Sequence, residues 1–93
     1  MEHYDYSSGR TFKGREAYVY RFAFPIILSH FRMIDSHSYD NDKNIIHIKA
    51  DGMEVMFGSV NKIRGKNTLG KEQKEKIKGI VTKLNNFKEK DYE

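Results

Sequence analysis

The dipeptide Asp51-Gly52 constrains this chain more than any other feature. It separates two runs that alternate in polarity, Ile45 to Ala50 and Met53 to Phe57. Asp-Gly suits a two-residue type I′ turn, whose central positions need positive φ and whose twist matches that of the flanking strands. A two-residue turn also fixes the register. Ala50 faces Met53, Lys49 faces Glu54, Ile48 faces Val55, His47 faces Met56 and Ile46 faces Phe57. Side chains alternate along a strand, so one face of this hairpin, 45–57, collects Ala50, Met53, Ile48, Val55, Ile46 and Phe57 and is wholly apolar. The other face is expected to carry a Lys49–Glu54 ion pair, a contribution of about 0.2–1 kcal/mol.

An apolar sheet face needs a cover. Residues 70–90 supply one, because Ile77, Ile80, Val81, Leu84 and Phe87 recur at helical spacing. Lys71, Lys74 and Lys78 lie on one flank of that stripe, and Lys76, Lys83 and Lys90 on the other. Thr68 is the expected N-cap. Glu72 and Lys76 form a supporting i,i+4 pair. Gly79 costs the helix about 1 kcal/mol relative to Ala and is read as allowing close contact with the sheet. These elements predict an α+β fold, a small antiparallel sheet of three or four strands packed by a long C-terminal helix, with residues 1–93 as one domain.

The rest of the chain is read from weaker signals. Residues 1–14 hold Ser7-Ser8-Gly9 and Lys13-Gly14 and read as a loosely ordered lead-in. Residues 17–24 alternate Tyr18, Tyr20, Phe22 and Phe24 on one side with Ala17, Val19, Arg21 and Ala23 on the other, which predicts a strand. For 26–34 a second strand is favoured over a short helix with Pro25 in its first turn. The polar stretch 35–44 and the basic stretch 58–69 read as connections.

Composition narrows the chemistry. The absence of cysteine excludes disulfides, thiolate zinc sites and a cysteine nucleophile. The longest nearly apolar run, Phe22 to Leu28, is too short to span a bilayer, and the opening Met1 to Asp5 has no signal-peptide pattern. The expectation is a cytoplasmic protein with no membrane partner. Lys, Asn, Ile, Tyr and Phe have A/T-rich codons, which suits an A/T-rich bacterial or phage genome. Charge is uneven. Residues 60–93 carry ten Lys and Arg against five Asp and Glu, whereas residues 1–59 carry seven against eight. A basic end suits an acidic partner.

The segment Asn61-Lys62-Ile63-Arg64-Gly65-Lys66-Asn67 is the leading candidate for such contact. Arg offers a forked donor, Lys a point charge, and Gly a close approach of backbone to phosphate. Lys62, Arg64 and Lys66, assisted by Lys71, Lys74 and Lys78, are the candidate contacts with nucleic acid or an acidic partner. A P-loop reading of Gly65-Lys66-Asn67-Thr68 fails, because the pattern requires Gly where Val60 stands and Ser or Thr where Asn67 stands. A calcium-loop reading from Asp40 fails at Ile45 and Asp51, which replace the required Gly and Glu. His3, His30, His37 and His47 show no metal-ligand spacing, so no cofactor or metal is assigned. His37 with Asp35, Ser36 and Ser38 holds the residue types of acid–base chemistry, but no spacing that encodes it. The aromatic row reads first as core, with Tyr18, Tyr20 and Phe22 as a contact face if exposed.

The order of hairpin, basic connection and long helix over residues 40–90 resembles a family of small prokaryotic domains of unknown function that carry a His-x-Pro-Pro-His-x-His signature. In the corresponding window only His47 matches, the other positions being Asn41, Lys43, Asn44 and Ile45, so no functional residue is carried across.

The sequence thus favours a non-enzymatic binding module that contacts nucleic acid or a nucleoprotein complex. A phage or mobile-element inhibitor of a protein partner, such as an anti-defence factor, is the alternative, followed by a small acid/base enzyme. An unpaired sheet edge offers a homodimer contact.

Overall fold

The computed structural model describes residues 2–66 and 69–87. The chain opens on an antiparallel hairpin, β1 (Glu2–Asp5) with β2 (Arg10–Lys13). The Asp5 carboxylate closes it by accepting from the Ser7 amide at 3.1 Å and from the Ser7 and Ser8 hydroxyls at 2.8 Å. Within the stretch whose composition suggests a loose lead-in, residues 2–13 hold this hairpin, and Phe12 is buried, stacked on the Tyr20 ring with centroids 4.0 Å apart.

The larger correction concerns residues 17–24, which are helical rather than extended. α1 (Gly14–Tyr18), a π-helical segment (Val19–Ala23) and α2 (Phe24–Leu28) run on as one rod, with right-handed helical dihedrals at each junction. Its buried positions include Ala17, Val19, Ala23, Phe24 and Ile27. Proline inside a helix removes one i→i−4 hydrogen bond, and the wider π-helical stretch lies in the turn just before Pro25. The favoured second strand over 26–34 is likewise replaced, by the end of the rod and a turn.

Four strands then form a meander in chain order: β3 (Ile34–Asp40), β4 (Ile45–Ala50), β5 (Met53–Gly58) and β6 (Lys62–Gly65). β3 and β6 fall within stretches whose polar composition had predicted connections. The β4–β5 register is the one set by Asp51-Gly52, with all five pairs from Ala50↔Met53 to Ile46↔Phe57 present. Asp51 and Gly52 have φ of 53° and 75°, as a type I′ turn requires. Glu54 does not pair with Lys49 but turns to His47, 3.4 Å away.

The sheet's apolar face, with Ile46, Ile48, Ala50, Met53, Val55 and Phe57 buried, is covered by the rod and by α3 (Lys71–Asn85). α3 presents Ile77, Val81 and Leu84 to that core, with Ile80 and Phe87 partly buried beside them. Gly70 takes the N-cap position, and its amide donates to the Gln73 side chain at 2.9 Å. Thr68, expected as the cap, lies outside the described residues, as does the stretch 88–93 with Lys90. Glu72 and Lys76 make no ion pair among the described residues. Gly79 also departs from expectation: a Cβ there would meet no atom within 4 Å, so no tight packing accounts for it.

A polar seam joins the layers at Asn44. This residue ends the β3–β4 turn at φ 56°, and only 9% of its surface is exposed. Its side-chain oxygen accepts from the Tyr39 hydroxyl at 2.7 Å, and its amide donates to Asn85 of α3 at 3.0 Å. Asn85 in turn donates to the Gly58 carbonyl at 3.0 Å. Burial pushes the Tyr39 phenol up to about 12. At the opposite end of β4, Asp51 accepts from the Arg32 and Met33 amides at 2.8 and 2.7 Å, bonds that hold its carboxyl below the usual range.

These shifts make stability depend on pH at both ends of the range. Tyr39 keeps its proton more tightly folded than unfolded, so its contribution is complete below about pH 10. It is lost as pH rises through about 12. Asp51 binds its proton less tightly folded, so its contribution is present above about pH 4 and lost as pH falls further. Melting temperature against pH should show a plateau with both shoulders, and Tyr39→Phe should flatten the alkaline one. An unchanged alkaline shoulder in that variant would assign it to another group.

Candidate nucleic-acid interface

The basic stretch expected as a connection contains the last strand of the sheet, and this decides where its cations point. β6 pairs with β5 so that Lys62 faces Met56, Ile63 faces Val55 and Arg64 faces Glu54. Val55 belongs to the buried face, so Ile63 points toward the helices. Lys62 and Arg64 point to the opposite face, which neither helix covers. The turn entering β6 is held by the Gly58 amide, which donates to the Asn61 side chain at 3.2 Å, and by the Ser59 amide, which donates to the Asn44 carbonyl at 3.0 Å. At the far end of β6, Gly65 has φ 127°, and a Cβ there would fall 2.3 Å from the Gly52 carbonyl oxygen.

On the helix side, a groove of about 290 Å3 separates β6 from α3. Phe57, Ile63 and Val81 give it an apolar lining, Lys74 and Lys78 stand on its α3 side, and no carboxylate lines it among the described residues. β6 is one of the two edge strands of the sheet, β3 being the other. Lys62 and Arg64 on one face and Lys74 and Lys78 on the other therefore straddle one open strand edge. Lys71 precedes them in the first turn of α3. Lys66 stands apart, lining a separate hollow with His30, Arg32 and Asp51. None of these six cations makes an ion pair among the described residues. Self-pairing of β6 would set the Lys62 and Arg64 of two copies together, a like-charge contact that opposes a dimer through this edge.

The aromatic row is dispersed by the helix. Tyr18 is buried, its ring 6.0 Å from that of Phe22 and 5.9 Å from that of Phe87. Tyr20 packs on Phe12 instead. Phe22 is exposed, with the Arg21 guanidinium 5.4 Å over its ring. His37 and its neighbours do not converge either. His37 faces Ile48 on the helix side of β3 and meets the Phe24 ring at 5.0 Å, whereas Ser36 and Ser38 face Lys49 and His47 on the other side. Among the described residues no group of three His, Asp or Glu could hold a metal ion.

The groove residues Ile63 and Asn61 were not singled out from sequence as its lining. The signal available was the alternation Lys-Ile-Arg over 62–64, a three-residue strand pattern inside a basic segment. No helix among the described residues is long and apolar enough to cross a membrane. Comparison with protein-family models, curated proteins and solved structures returned no match.

Proposed function

We propose that this chain is a small non-enzymatic binding module of the cytoplasm whose basic end contacts the phosphate backbone of nucleic acid. The observation that carries this reading is that Lys62 and Arg64 of β6 stand beside Lys71, Lys74 and Lys78 of α3, none of these five in an ion pair among the described residues. Arg64 supplies a fork for phosphate oxygens and the lysines supply point charges. The uncovered sheet face presents no Phe or Tyr among the described residues, so base stacking has no platform there. Contact by charge alone is read as indifferent to sequence.

The test is binding of fluorescent mixed-sequence RNA and DNA across a salt titration. The logarithm of affinity should fall linearly with the logarithm of salt, by about 0.9 per phosphate contacted on duplex DNA. Replacing Lys62, Arg64 and Lys66 together by Ala should reduce that slope by about 2–3. Absence of binding at low salt overturns the reading and leaves an acidic protein surface as the partner for these cations.

A further inference from the structure

The groove between β6 and α3 carries an apolar wall that phosphate contact alone does not use. Ile63 projects into it from β6 and is 37% exposed, so a large aliphatic side chain stands open between two sets of cations. We propose that this groove takes one unstacked base of a single-stranded nucleic acid, which makes the β6–α3 edge selective for single strands over duplexes. The inference rests on the phosphate-contact reading and goes beyond it by naming the form of nucleic acid.

Size and charge both point to this occupant. At about 290 Å3 the groove lies at the small end of ligand sites, which run about 300–1,000 Å3. That suits one flat ring system better than a partner helix. Lys74 and Lys78 line its α3 wall one turn apart, about 6 Å along the axis, and Lys62 and Arg64 stand on the far face of β6. No carboxylate lines the groove among the described residues. A base held against Ile63 therefore has cations on both sides of its strand, where the phosphates before and after it run.

The rim adds polar contacts. The Asn61 side chain, whose oxygen accepts from the Gly58 amide at 3.2 Å, and the Thr82 hydroxyl line the same groove. A carboxamide nitrogen and a hydroxyl both donate, and every base carries acceptors on its edges, so the seat tolerates any base. The walls are fixed before any ligand arrives, because Asn85 of α3 donates to the Gly58 carbonyl at 3.0 Å and accepts from Asn44. Duplex DNA offers its bases only after they are unpaired and unstacked, a cost that a single strand largely avoids.

The test compares three fluorescent oligonucleotides of about 12 nucleotides: a mixed-sequence single strand, its duplex, and an abasic strand with the same phosphates. The full chain should bind the base-bearing strand at least about fivefold more tightly than the abasic one. Both single strands should show the same salt slope, because they share their phosphates. Ile63→Ser, at a half-exposed position, should remove the preference for bases and leave duplex affinity unchanged. Thr82→Leu, which fills the groove from an exposed site on α3 with a better helix former, should do the same. Ala at Lys62 and Arg64 should weaken all three probes alike. Equal affinity for the abasic and base-bearing strands overturns the base seat while the phosphate reading stands, as does an undiminished preference in both groove variants. Absence of binding to all three at low salt overturns both readings. Two other outcomes also overturn the base seat: a Glu-rich peptide shifting the NMR signals of Ile63 and Val81 where the single strand does not, and a homodimer in sedimentation that Ile63→Ser dissolves.

Discussion

Asn44→Ala should destabilise the protein by about 3–4 kcal/mol. Two losses combine. The first is backbone strain, since Asn44 sits at φ 56°, a left-handed conformation that Asn tolerates better than Ala and that costs most residues about 1–2 kcal/mol. The second is polar. Removing the carboxamide leaves the buried Tyr39 hydroxyl without its acceptor, whereas the exposed Asn85 exchanges its lost partner for water. Each buried group left unsatisfied costs about 1–3 kcal/mol. Small domains have roughly 5–15 kcal/mol in total, so one seam residue decides a large share. Asn44→Gly separates the two terms, because glycine accepts the backbone and loses only the hydrogen bonds. It should unfold in urea about 1 kcal/mol later in stability than Asn44→Ala. Adding Tyr39→Phe to Asn44→Ala should cost less than the two changes apart, since they share one bond. Strict additivity would show that the seam is not a network.

Gly65→Ala should have the second largest effect, about 2–3 kcal/mol of stability. The reason lies in which atoms the new methyl group would meet. The Gly52 carbonyl oxygen lies 2.3 Å from its position and the Met53 Cα 2.8 Å. Both are backbone atoms of the β4–β5 turn and the start of β5, so no side chain can swing aside. The available relief is for the end of β6 to move off β5. That displaces Lys62 and Arg64 while leaving every cation in the chain. Nucleic-acid affinity should therefore fall in Gly65→Ala without any change in net charge. Unchanged affinity in a destabilised Gly65→Ala protein would mean that the cations act as a diffuse field and that their placement on β6 is irrelevant.

The contrast between what was readable in the sequence and what was not has a physical origin. The hairpin of β4 and β5 was readable because a two-residue turn leaves one register, and pattern and pairing then agree at every position. The apolar stripe of α3 was readable because its period does not fit a strand. The rod reads as a strand in sequence because Tyr18, Tyr20, Phe22 and Phe24 alternate as a strand would, and these large aromatics dominate the hydrophobic pattern. The helical signal was carried by smaller and more distant residues. Ala17, Tyr20, Phe24, Ile27 and Phe31 follow a three-four spacing, and all but the half-buried Tyr20 are buried. β3 reads as a loop in sequence because, as an edge strand with one open face, it buries only Tyr39. The cations of the candidate interface could be named from composition. That Lys62 and Arg64 oppose Lys74 and Lys78 across a strand edge follows only from the β5–β6 pairing.

The meander has a consequence for how the molecule is made. Each strand of the four-stranded sheet pairs with its neighbour in sequence, so those contacts are local and close quickly. α3, which covers the sheet beside the rod, is the last described element to leave the ribosome. Synthesis proceeds at roughly 5–20 residues per second. During the interval before α3 emerges, Phe57 and Val55 have their final strand pairing but not their final cover. The nascent chain is then most exposed to unwanted association, and the lysines that α3 brings arrive with the apolar stripe that ends that exposure.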